Sequence, residues 1–171
     1  MTNATIEKRL QLSLYVTPGA ATRIEAVRKL VDPVQSHLIP AHVTLCRQDE
    51  LDDLDSIRIR LRNLCFPPLT LRFGAPVRFL GHGLLLECVD GSAQFQSLRR
   101  YVLASRTIRE QMPHITLAHP RNPLSPGNTA SNSRQIDSGV ELTFPSIYLI
   151  EQEGRDPWRI LERYDFPVLK K

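Results

Sequence analysis

The stretch Met112-Pro113-His114-Ile115-Thr116-Leu117-Ala118-His119-Pro120 decides how the chain is read. As a short strand it places His114 and Thr116 side by side on one face, while Ile115 and Leu117 point the other way into a core. The same pattern stands earlier as Ile39-Pro40-Ala41-His42-Val43-Thr44-Leu45, with His42 preceding His114 by 72 residues. One His-x-Thr means little. Two in matching surroundings carry the functional argument.

The surroundings do match. Leu14 and Leu86 are also 72 residues apart, and Leu69-Thr70-Leu71 precedes Leu142-Thr143-Phe144 by 73. A near-constant offset implies a duplicated unit, and two copies imply a pseudo-twofold protein of two lobes. In the first copy, alternation predicts a strand over 10–16, stopped by Pro18-Gly19. Ile24, Val27, Leu30 and Val31 have helical spacing and predict a helix over 20–31. The motif strand follows over 41–47, then a helix over 50–64, a strand over 69–73 and a further one over 77–80. The second copy repeats this order with a strand over 84–89, a helix over 93–104, its own motif strand, and apolar alternation over 140–150. Residues 120–139 are rich in Pro, Gly, Asn and Ser, which predicts an irregular, mobile loop beside the site. The chain is thus read as one bilobal domain over 1–171, with repeats at about 10–80 and 84–152 and a tail over 153–171 in which Trp158 caps a lobe.

Length and composition set the bounds. A chain of 171 residues can bury one substantial core or two lobes sharing an interface. No apolar run approaches the roughly 20 residues that cross a bilayer, and the first residues lack the apolar core of a secretory signal. Cys46, Cys65 and Cys88 are odd in number and lack CxxC spacing, which speaks against a disulfide framework or zinc knuckle and for the cytoplasm. Between Ser97 and Arg134, six arginines (Arg99, Arg100, Arg106, Arg109, Arg121, Arg134) face a single acidic residue, Glu110. That excess suits an anionic partner, although Arg99, Arg100 and Arg106 read first as a solvated helix face.

Two imidazoles brought together by twofold-related strands form a general acid–base pair, because histidine titrates near neutral pH. In-line displacement at phosphorus needs a base on the attacking oxygen and an acid on the leaving oxygen. Thr44 and Thr116 are then placed to donate to the non-bridging phosphate oxygens. The chemistry requires no metal or other cofactor, and few carboxylates lie near either motif to hold a metal.

The two segments Ala41-His42-Val43-Thr44-Leu45 and Pro113-His114-Ile115-Thr116-Leu117 resemble the paired signature of the two-histidine (2H) phosphoesterases, which include the LigT-like 2′-5′ RNA ligases and cyclic phosphodiesterases. The resemblance covers most of the chain. It implies an α+β fold of duplicated β-α-β-α-β lobes around a central cleft, acting without a metal on 2′,3′-cyclic phosphates or 2′-5′ phosphodiester bonds. His42 and His114 would be the catalytic pair, and Thr44 and Thr116 the phosphate donors. Arg47 and Arg121 are candidate contacts to phosphate or RNA. The expected partner is RNA or a cyclic nucleotide, met by a monomer away from membranes.

Other readings stand beside this one. A nucleotide- or RNA-binding module could keep the cleft and lose turnover. A metalloprotein could use His42, His114 and His119, although His-x-Thr spacing lacks the logic of a zinc site. His119 reads as a rim residue, His37 and His82 as structural, and Cys46 as a small buried residue rather than a nucleophile.

Overall fold

The computed structural model describes residues 7–136 and 139–168. Eight strands form one sheet: β1 (Lys8–Tyr15), β2 (His42–Arg47), β3 (Leu69–Phe79), β4 (Gly83–Asp90), β5 (His114–Ala118), β6 (Val140–Phe144), β7 (Ser146–Glu153) and β8 (Arg159–Asp165). Helices α1 (Pro18–Val31), α2 (Pro33–Leu38), α3 (Leu54–Arg62), α4 (Ser92–Leu103) and the four-residue α5 (Ala130–Ser133) complete it. The architecture is the α+β duplication that the sequence implies.

The strand order is β6-β3-β4-β5-β2-β1-β7-β8, with every pairing antiparallel. The motif strands β2 and β5 are central neighbours. The repeats exchange strands around them: β3 of the first repeat joins the second repeat's β4, and β7 of the second joins β1. Only Pro145 separates β6 from β7, yet they are first and seventh in the sheet. Two residues of chain span at most about 7 Å, so the sheet curls until β6 approaches β7.

One face of this sheet is covered by α1, α3 and α4. Leu12, Leu14, Val43, Leu45, Ile115, Leu117 and Leu86 from the strands meet Ile24, Val27, Ile57, Leu61, Phe95, Leu98 and Val102 from the helices in a single buried cluster. Burying each such side chain stabilises by roughly 1.5–3 kcal/mol. The opposite, open face carries the motif side chains.

Several boundaries differ from the sequence reading, each for a local reason. Pro18 does not break the chain but is the first residue of α1, a position where its missing N–H costs nothing. The helix read over 50–64 starts only at Leu54, because Asp53 caps it through the Ser56 N–H; Leu51 is buried after a 3-10 turn at Gln48–Glu50. The two strands at 69–73 and 77–80 are one, and the alternation over 140–150 is two, cut at Pro145. The segment read only as a tail over 153–171 contains strand β8. Its charged residues on both faces hide the periodicity and suit an edge strand. Trp158 packs as a cap, its backbone N–H bonded to the Leu38 carbonyl at 2.8 Å and the Arg9 guanidinium over its ring.

The segment read as a mobile loop is pinned over its described part. Buried Asp32 accepts bonds from the His119 N–H (2.8 Å) and the Asn122 side chain (2.9 Å), and Ser125 Oγ donates to the Leu30 carbonyl. At Gly127 a Cβ would lie 2.2 Å from the Leu30 carbonyl oxygen, so only glycine allows this approach to α1. Residues 137 and 138 of that segment lie outside the described residues.

Candidate active site

Val43 and Ile115 are backbone partners across β2 and β5, and they occupy equivalent places in the two repeats. Antiparallel pairing through equivalent residues puts the pseudo-twofold axis between them. His42 therefore comes opposite Thr116, and Thr44 opposite His114. The histidines lie on a diagonal of this pair, a relationship that sets the two residues on the order of 7–8 Å apart, with their Cβ atoms somewhat closer. His42, Thr44, His114 and Thr116 are half-buried on the open face, whereas Val43, Leu45, Ile115 and Leu117 are fully buried beneath it.

Each imidazole is held by the carbonyl two residues before it. His42 Nδ1 meets the Pro40 oxygen at 2.8 Å, and His114 Nδ1 meets the Met112 oxygen at 2.9 Å. An Nδ1–H donated to a carbonyl leaves Nε2 as the nitrogen that exchanges protons with a ligand. Burial pushes the His42 pKa down to about 4, helped by the positive charge of Arg28 and by His114 and opposed by the Pro40 carbonyl. His42 is accordingly neutral at physiological pH, with a free lone pair on Nε2. Tyr15 sits edge-on to the His42 ring at 6.2 Å between centroids and packs against Tyr148 at 5.0 Å.

The threonines differ. Gln11 Nε2 donates to Thr44 Oγ1 at 3.1 Å and to Ser13 Oγ at 2.7 Å. Because Thr44 already accepts a bond, its own hydroxyl proton is left to point at a ligand. Among the described residues, no hydrogen bond engages the Thr116 hydroxyl; the Thr116 backbone carbonyl accepts from Arg28.

A register shift at Leu12/Ser13 opposite β2 recurs at Leu84/Leu85 opposite β5. Each makes two successive residues face the core, Leu45 with Cys46 and Leu117 with Ala118, and turns the next residue back. Arg47 and His119 thereby take equivalent positions on the open face. Arg47, paired with Gln11, is exposed beside Thr44. His119 accepts the Arg121 N–H on Nδ1 at 3.1 Å, and the exposed Arg121 guanidinium reaches 3.5 Å from its Nε2. Burial first and Arg121 second lower the His119 pKa. The structure brings Arg47 and Arg121 to opposite ends of the motif strands.

The chain as a whole matches a known family. The description of the 2′-5′ RNA ligase superfamily fits residues 16–156, most of the chain. The chain belongs to the 2′-5′ RNA ligase superfamily. Solved structures of this fold agree: Escherichia coli LigT in its apo form superposes with a TM-score of 0.63 at 18% identity, covering 94% of this chain and 98% of that one. LigT complexed with 3′-AMP gives 0.61 at 19%, covering 93% and 98%. A crystal structure titled as a phosphoesterase gives 0.57 at 14%, covering 94% and 99%. No curated protein matches the sequence.

Within this superfamily fold, other sequence expectations resolve as follows. Cys46 is fully buried, and burial pushes its thiol up to about 12, so it packs rather than attacks. His82 is structural, bonded to the Asn122 carbonyl at 2.9 Å. Among the described residues no three His, Cys, Asp or Glu side chains converge as metal ligands, His42, His114 and His119 included. Arg99 is not a solvated helix residue; it is fully buried and paired with Glu50, and Arg109 pairs with Asp49 at 3.2 Å. Part of the positive charge read over 97–134 is thus met within the chain. A groove of about 510 Å³ between β3, α4 and Phe166 shares no residue with the motif strands and is lined without a titratable group.

Sequence reasoning missed Gln11, Tyr15, Arg28 and Arg99. A signal existed for the arginines. Ile24/Phe95, Val27/Leu98 and Val31/Val102 are all buried and 71 residues apart, and Arg28/Arg99 share that offset.

Proposed function

We propose that this chain is a metal-independent phosphoesterase that opens 2′,3′-cyclic phosphates or cleaves 2′-5′ phosphodiester bonds of RNA or nucleotides. The carrying observation is the mirrored tether: both Nδ1 atoms are tied to carbonyls, which commits both Nε2 atoms to one open face on either side of a twofold axis.

In the hydrolytic direction His42, neutral at physiological pH, takes a proton from water as its oxygen attacks phosphorus. The bond from phosphorus to one ribose oxygen breaks on the far side, and His114, in its protonated form, gives that oxygen its proton. The product is a ribose phosphate monoester with a free neighbouring hydroxyl. Thr44 and Thr116 donate to the non-bridging oxygens, where charge accumulates. Arg47 and Arg121 contact flanking phosphates, which fits a cytoplasmic RNA or nucleotide substrate. Ligation follows the same path with a 5′-hydroxyl in place of water: His42 takes its proton as the oxygen attacks phosphorus, the bond to the ribose 3′-oxygen breaks, and His114 protonates that oxygen, leaving a 2′-5′ linkage.

The test is a panel of 2′,3′-cyclic nucleotides and 2′-5′-linked dinucleotides with the purified chain. Turnover in EDTA that disappears in His42→Ala and in His114→Ala supports the reading. Tight binding without turnover of any of them overturns it in favour of a binding module.

A further inference from the structure

Arg28 on α1 and Arg99 on α4 are both 0% exposed, and the reaction scheme uses neither. They are equivalent residues of the two repeats, and each reaches across to the other repeat's motif strand. Arg28 Nε donates to the Thr116 carbonyl at 3.2 Å, and Arg99 Nε donates to the Leu45 carbonyl at 2.8 Å. Each also grips the chain entering a motif. Arg28 Nη2 donates to the Ile39 carbonyl at 2.8 Å, and its partner Glu25 accepts the Ala41 N–H. Arg99 Nη1 donates to the Arg109 carbonyl at 2.6 Å, and its partner Glu50 accepts the Arg47 N–H at 2.9 Å. Arg28 therefore touches the backbone of both motifs at once, and Arg99 touches the first motif and the segment that leads into the second.

Hiding a guanidinium from water is costly, and apolar side chains would fill this volume without that cost. What they could not supply is a rigid fork of donors aimed at fixed carbonyls. We propose that Arg28 and Arg99 are positioning residues of the two-histidine site, locking the separation of the motif strands from beneath the sheet, and that Arg28 adds an electrostatic role toward His42 that Arg99 lacks. This inference rests on the acid–base reading above.

The asymmetry follows from placement. Tyr15 from β1 lies edge-on to the His42 imidazole, His114 from β5 shares its face, and Arg28 with its partner Glu25 from α1 lies beneath it, bonded to the carbonyls of Ile39 and of Thr116 opposite His42. Arg28 and His114 both oppose a proton on His42, and Pro40, held between the Ile39 and Ala41 anchors, fixes its tautomer. Arg99 acts further along β2, at Leu45. Removing the Arg28 charge should therefore make His42 easier to protonate, whereas removing Arg99 should alter geometry alone.

The experiment compares wild type, Arg28→Met, Arg28→Lys and Arg99→Met by pH profiles of turnover on a 2′,3′-cyclic nucleotide, together with an NMR titration of the His42 imidazole. Misplacement by a fraction of an ångström should lower kcat by roughly 10–100-fold in all three variants with little change in KM. Only Arg28→Met should move the acidic limb and the imidazole titration upward, by about half a unit to one unit. Arg28→Lys keeps the charge but not the fork, so it should lose rate without moving the limb. If Arg28→Met does not fold, Arg28→Gln takes its place. An unshifted His42 titration without the charge, or an effect on KM alone, overturns the inference. Full activity in His42→Ala would instead sink the acid–base reading, while the imidazole titration in the Arg28 variants still reports on Arg28.

Discussion

Thr70 and Thr143, equivalent residues of the two repeats, are direct partners across β3 and β6, with hydroxyl oxygens 2.9 Å apart. Val43 and Ile115 are partners in the same sense across β2 and β5. The pseudo-twofold axis thus leaves the sheet through two pairs. One holds the exchanged strands together, and the other centres the histidines. A site built about such an axis presents two chemically matched groups to one ligand from opposite sides, the arrangement that in-line displacement requires.

The symmetry sets the first expectation. His42→Ala and His114→Ala should each lower turnover of a 2′,3′-cyclic nucleotide by roughly 10²–10⁴-fold, the usual scale of a general acid or base. The double variant should lose far less than the product of these factors, because each ring needs the other. Steady-state rates of the three proteins decide it; multiplicative losses would mean that the rings act independently.

The threonines should separate. Thr44→Val and Thr116→Val each remove a donor to phosphate, at a cost on the order of 10²–10³-fold if the donor acts like one in an oxyanion hole. Gln11→Leu removes only the group that orients the Thr44 hydroxyl and should cost less than Thr44→Val. A Gln11→Leu loss that persists unchanged in a Thr44→Val background would place the glutamine on the substrate instead.

How much of this was legible in the sequence depends on periodicity. Where one strand face is buried and the other carries the motif, as at His42-Val43-Thr44-Leu45, alternation yields the strand, its facing and the candidate site residues together. The offset then identified the repeats, although not their exchange of strands, since pairing partners leave no local mark. Arg28 and Arg99 were hidden by a different physics. A buried arginine is read as solvated because its burial depends on carbonyls distant in sequence, Thr116 for one and Leu45 for the other. The bulge that returns His119 to the open face is likewise a property of two strands together.

Asp32 gives a stability expectation that concerns the loop. Its buried carboxylate accepts from the Gln35 N–H, the His119 N–H and the Asn122 side chain. Asp32→Ala leaves these donors unmet and should destabilise by about 2–4 kcal/mol, while loosening the loop that follows β5. Denaturant unfolding and proteolysis between Pro120 and Ser133 measure both effects; an unchanged cleavage rate would show that the loop is held from elsewhere.

The last expectation concerns pH and follows from the depressed pKa of His42. The native state keeps this ring neutral down to about 4, whereas an unfolded histidine takes up its proton near 6.5. Between those values the unfolded chain binds a proton that the native chain does not. Stability from this group is therefore fully present above about 6.5 and is lost as pH falls toward 4. The loss should amount to about 1–3 kcal/mol, with the partial exposure of His42 favouring the lower end. His42→Gln has no titrating group there, so its unfolding free energy should fall less steeply over the same interval. The same neutrality predicts a bell-shaped rate profile whose acidic limb lies well below the usual histidine range, because the base is ready as soon as His42 is unprotonated. Parallel stability curves for wild type and His42→Gln, together with an acidic limb near 6.5, would show that His42 titrates as an ordinary solvated imidazole and would remove its assignment as the base.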